Sequence, residues 1–82
     1  MTQLEENTLM LVTTLEYYPG HTSEEIKNFA DWLKNFSIFG IETWLTNGIR
    51  KSYIRDKVNK EGKIIYFCTT KGKKERDKQF GT

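Results

Sequence analysis

The 82-residue sequence holds one cysteine, one proline and one histidine. It also lacks any apolar run approaching the roughly 20 residues that span a bilayer. Each scarcity excludes something. A lone Cys68 cannot build an internal disulfide framework and suits a reducing compartment. It sits in the apolar run Ile64-Ile65-Tyr66-Phe67-Cys68, where a buried, inert thiol is expected. His21 stands beside Pro19-Gly20 and reads as a turn residue near a helix start. No Cys/His cluster has zinc spacing, no glycine-rich loop forms a phosphate cradle, and no nucleophile has a base partner. Glu24-Glu25 read as helix-capping carboxylates. No metal, cofactor or catalytic residue is therefore expected. The opening stretch, Met1 to Asn7, is polar and acidic, unlike a secretory signal, so the cytoplasm is the expected location. Without repeats, low-complexity tracts or a Ser/Gly linker, residues 1–82 are expected to form a single domain.

What the chain does have is enough for one modest core: 37% hydrophobic and 13% aromatic residues. Its charge is unevenly placed. Residues 1–48 hold two basic against seven acidic side chains, a net −5, whereas residues 49–82 hold eleven against four, a net +7. Such a split points to an anionic partner for one face of the fold.

Helical spacing of Leu4, Thr8, Leu11, Val12, Leu15 and Tyr18 predicts a first helix over about Gln3 to Tyr18, stopped by Pro19-Gly20. Thr22 followed by Glu25 is a capping box. Ile26, Phe29, Ala30 and Leu33 then mark the buried face of a second helix of about three turns. Asn35 and Phe36 read as a tight turn, and Ser37 as the cap of a third helix over Ile38 to Lys51. On that helix Ile38, Ile41, Leu45, Gly48 and Ile49 share one side. Thr43 and Arg50 lie opposite, with Phe39, Gly40, Thr46 and Asn47 flanking. The aromatics around the turn, Trp32, Phe36, Phe39 and Trp44, are expected to pack inside. From Ser52 the period becomes alternating: Ile54 and Val58 share a strand face, Asn59 to Gly62 form a hairpin loop, and Ile64 to Cys68 return. A charged helical stub or tail, Lys73 to Phe80, follows.

This order is α+β: a three-helix core, a two-stranded hairpin and a short C-terminal helix. It resembles the winged helix-turn-helix regulators of bacteria, archaea and their viruses. The residues that carry the likeness are Thr22-Ser23-Glu24-Glu25-Ile26 at the entry of the first motif helix, then Ile41 and Leu45 with Tyr53-Ile54-Arg55. The second wing strand and its ending follow in Gly62-Lys63 and Tyr66 to Gly72. Ser52 stands where the family usually has glycine, and Ile38-Phe39-Gly40 where it usually has small polar or basic residues. The resemblance implies DNA binding and transcriptional control.

In that arrangement Ser37, Thr43, Thr46 and Asn47 are the expected hydrogen-bonding groups in the major groove. Arg50 and Lys51 are the expected phosphate clamps, and Arg55, Lys57, Lys60 and Lys63 make a cationic wing. About six phosphate contacts follow, with a steep salt dependence. Met10, Tyr17 and Tyr18 on the first helix are candidates for a homodimer contact. Two alternatives stay open: a winged-helix module docking on a polymerase, replication or other protein partner, and binding of RNA or single strands.

Overall fold

The computed structural model describes residues 1–81. Helix α1 spans Gln3–Tyr17, α2 Ser23–Phe29 and α3 Ile38–Arg50; strands β1 and β2 span Ile54–Val58 and Ile64–Cys68, and α4 spans Thr70–Phe80. This is a winged helix-turn-helix: α2 and α3 form the motif, and β1 and β2 pair antiparallel as the wing, Ile54 opposite Cys68 and Val58 opposite Ile64.

Local chemistry sets the element ends. Thr2, Thr22, Ser37 and Thr69 each accept a backbone N–H at the start of their helix. At α2 the reciprocal bond is present too, the Thr22 N–H donating to Glu25 Oε1 at 2.9 Å. Gly20 takes a φ of +77° after α1, and its N–H donates to the Tyr66 carbonyl, laying the α1–α2 loop beside β2. Helix α3 ends in a Schellman motif. The Tyr53 N–H reaches the Gly48 carbonyl at 2.8 Å and the Ser52 N–H reaches that of Ile49 at 3.0 Å. Ser52 holds the left-handed φ of +65°, a conformation that glycine adopts without the steric cost a Cβ brings.

The core gathers Leu9, Leu11, Val12 and Leu15 of α1 with Ile26, Leu33, Ile41, Leu45, Ile54 and Tyr66. Helix α1 runs through the middle, touching α3 on one side and α4 and β2 on others. Its buried arc is therefore wider than one stripe, taking in Asn7, Leu9 and Thr14, while Leu4 and Tyr18 at its ends stay partly exposed. Gly48 lies where expected, facing Ile54, whose Cδ1 leaves no room for a Cβ.

Three expectations are corrected. The second helix does not run three turns: it stops at Phe29, Ala30 is extended, and Asp31–Leu33 form a 3-10 turn. The Lys27 amine sits beneath this turn and donates to the carbonyls of Lys34 and Phe36, both at 2.7 Å, which a continuous helix would not offer it. Phe29 consequently turns outward, 45% exposed, against Tyr18 and His21. Val58 shares the face of Ile54 but stands 62% exposed, because the hairpin projects past the helices that cover Ile54. The C-terminal helix begins at Thr70 rather than Lys73, since Thr69 caps it.

Candidate nucleic-acid interface

Helix α3 presents an exposed stripe at Phe39, Thr43, Thr46 and Arg50, spaced i, i+4, i+7 and i+11. With Leu4, Glu42 and one edge of Asn47, these residues line an open groove of about 360 Å³ between α3 and the start of α1. Ile41, Leu45 and Gly48 face the other way and anchor the helix.

The residues expected to read bases do not all reach this groove freely. Asn47 is corrected from an outward-facing to a buried residue, 6% exposed. Its Nδ2 donates to Thr8 Oγ1 at 3.0 Å, and Thr8 in turn donates to the Leu4 carbonyl. The cause is α1, which lies along the flank of α3 and encloses the position; a polar group enclosed there needs a partner, and Thr8 supplies it. Ser37 is exposed, but its Oγ accepts the Gly40 N–H as the helix cap. Thr43 faces solvent with its hydroxyl donated back to the Phe39 carbonyl at 2.9 Å. Thr46 and Arg50 project freely along the groove, Arg50 with an Nη2 contact to Asn47 Oδ1 at 3.4 Å. Lys51 closes the helix as its C-cap and is half-buried.

Phe39 is the residue that sequence reasoning misplaced. Expected inside, it is 81% exposed, at the head of the groove. Of the other aromatics around the turn, Trp32 and Trp44 are half-buried and stack at 5.9 Å, Trp32 Nε1 donating to Thr14 Oγ1. Phe36, edge-on to both, stays 41% exposed, also contrary to expectation. The available signal was the position of Phe39 on the arc of Thr43 and Arg50, away from Ile41 and Leu45.

The wing divides its cations between two faces. Arg55 pairs across from Phe67 and Lys57 across from Ile65, so these two share the face turned away from Ile54 and Tyr66. The Arg55 guanidinium lies 4.7 Å from the centre of the Phe67 ring, which holds it in place without neutralising it. Lys60 is exposed in the loop, where Asn59 Oδ1 accepts the N–H groups of Glu61 and Lys63. Lys63 turns to the opposite side. It shares a cleft between the wing tip, α2 and α3 with Glu24, Glu25, Glu42 and Glu61. That cleft adjoins the α3 groove at Glu42, whose Oε2 accepts from Ser23 Oγ. The wing tip and the exposed face of α3 thus neighbour one another, but with a lining of carboxylates between them.

Helix α4 keeps part of the basic half for structural work. Arg76 Nη1 meets Glu16 Oε1 at 2.6 Å and Thr13 at 3.3 Å, with Nε on Asp77 at 2.9 Å, tying α4 to α1. Cys68 is half-buried, and burial pushes its thiol above the usual range, consistent with an unreactive sulfur. Among the described residues, no group of three or more His, Cys, Asp or Glu could hold a metal ion, and no helix is long and apolar enough to cross a membrane.

No protein-family model matches the sequence, and a comparison with curated proteins finds no relative. Among solved structures, the chain is similar to MepR, a transcription regulator of the Staphylococcus aureus multidrug efflux pump MepA. The TM-score is 0.71 at 21% sequence identity, covering 99% of this chain and 56% of that protein. This chain therefore matches little more than half the length of MepR, and the likeness establishes the winged-helix fold.

Proposed function

We propose that this chain binds double-stranded DNA and acts in transcriptional control, with α3 in the major groove and the hairpin along the phosphate backbone. One observation carries the reading: an exposed α3 stripe ending in Arg50 is followed at once by a hairpin bearing Arg55, Lys57 and Lys60. A helix of this diameter fits the major groove, and a cationic ribbon beside it neutralises phosphates. The winged-helix architecture shared with a transcription regulator supports the same assignment.

Retardation of a random-sequence 24-base-pair duplex tests it. Neutralising about six phosphates gives a salt slope near −5, so affinity falls about a thousandfold between 50 and 200 mM salt. Reversing Lys57, Lys60 and Lys63 to Glu should abolish the shift. Failure to bind any duplex at low salt refutes the proposal and favours the protein-docking reading.

A second surface bears on oligomeric state. Met10, Tyr17, Tyr18, Trp32 and Phe80 line an apolar groove on the α1 side, Tyr17 being 76% exposed. A second copy pairing here gives a two-fold reader of symmetric sites. Sedimentation equilibrium checks it: wild type dimerises and Tyr17→Glu stays monomeric.

A further inference from the structure

The α3 groove is poor in free hydrogen-bonding groups and rich in carbon. Asn47, the one side chain suited to bidentate pairing with adenine, is turned to Thr8 and buried. Ser37 is engaged by the Gly40 N–H, and the Thr43 hydroxyl proton is committed to the Phe39 carbonyl. What projects from the first two turns is the Phe39 ring, most of its surface in solvent, followed by the two threonines. Phe39 is the most exposed large hydrophobic side chain among the described residues, and it lies in a groove with Leu4 and Thr43, where it can meet an apolar group of a bound molecule. In the major groove only one base offers one, the C5-methyl group of thymine, which is met by Phe and by Thr methyl groups.

We infer that Phe39, with Thr43 beside it, selects thymine-containing duplex by contact with thymine methyl groups, while Arg50 at the far end of the groove supplies a polar contact. The inference rests on the DNA-binding reading above and adds the chemistry of its specificity. Charge favours this occupant over a protein surface. The groove ends at Arg50, and the hairpin that follows it carries exposed Arg55, Lys57 and Lys60, which an anionic duplex complements. The Glu42 carboxylate also lines the groove and keeps its charge, with Oε2 accepting from Ser23 at the start of α2, so the cations at and beyond Arg50 must outweigh it.

The test removes the methyl group and nothing else. Binding is measured for a 24-base-pair duplex of alternating dA and dT and for the same duplex with dU replacing dT. Each methyl group buried by Phe39 or Thr43 is worth about fourfold in affinity, so wild type should prefer the dT duplex by fourfold or more. Phe39→Ala should collapse that ratio towards one. Phe39→Leu should retain part of it, and Thr43→Ser should reduce it. Because Phe39 contributes little to the core, an unchanged melting temperature for Phe39→Ala confirms the fold is intact. Equal binding of dT and dU duplexes overturns the inference and leaves DNA binding standing. So does a dT preference that Phe39→Ala preserves in full. Binding to neither duplex at low salt defeats both readings.

Discussion

Replacing Gly72 with alanine puts a methyl group where the Tyr53 backbone already lies. Gly72 is the third residue of α4, and its N–H donates to Thr69 Oγ1 at 3.0 Å. Thr69 is itself fastened to the α3–β1 junction, with its N–H on the Tyr53 carbonyl and its hydroxyl on that of Ser52 at 2.6 Å. A Cβ at position 72 would sit 2.3 Å from Tyr53 O and 2.9 Å from its Cα. Comfortable contact lies near 3.5 Å, so the helix start must retreat by about 1 Å. Neither side can yield by a rotamer change, because the obstacle is main chain. Overpacking of this kind costs about 1–3 kcal/mol, and weakening the two Thr69 bonds adds about 1 kcal/mol each. Against this, alanine gains about 1 kcal/mol of helix preference. The net loss of about 2–4 kcal/mol lowers the melting temperature of a domain this size by roughly 10–30 °C. Thermal denaturation followed by circular dichroism measures it directly. Gly62→Ala serves as the comparison, since a Cβ there meets nothing within 4 Å and only the φ of +80° is strained. A Gly72→Ala protein that melts at or above the wild-type temperature would refute the packing argument.

Ser52→Gly should act in the opposite sense. It removes a left-handed serine costing about 1–2 kcal/mol at the expense of about 0.5–1 kcal/mol of chain entropy, so a rise of a few degrees in melting temperature is expected. Single charge reversals should separate the wing faces: Lys57→Glu and Lys60→Glu should each weaken duplex binding and lower the salt slope by about 1, with Lys63→Glu having the smaller effect because carboxylates already surround it. Competition binding at several salt concentrations checks this order. The Thr22 N–H bond, first of all, holds the Glu25 carboxyl below its usual range, with His21 and the Thr22 side chain adding to it. A depressed folded-state value means that the contribution of Glu25 is complete above its unfolded value and fades as pH falls through the folded one. Glu25→Gln should therefore flatten the loss of stability between about pH 5 and 3 in an acid titration of melting temperature.

The candidate site was only half legible in advance. Caps and breakers act within four residues, so Thr22 with Glu25, Ser37 and Pro19-Gly20 announce the helix boundaries with no knowledge of the rest. The alternation of Ile54 and Val58 and the Asn59-to-Gly62 loop announce the hairpin in the same way. The short α2 was not announced, because Ile26, Phe29, Ala30 and Leu33 keep helical spacing across a break that Lys27 stabilises through carbonyls up to nine residues away.

The order of elements, the charge split and the helix starts at Thr22 and Ser37 were decided by the amino-acid string, since each depends on neighbours close along the chain. Which flank of α3 meets water was decided by the tertiary structure. Phe39 lies on the arc of Thr43 and Arg50, which periodicity turns outward, but nothing in the period encloses the neighbouring Asn47 flank. Only the placement of α1 does: it covers the Asn47 side, where Thr8 satisfies the amide, and leaves the phenylalanine ring in solvent.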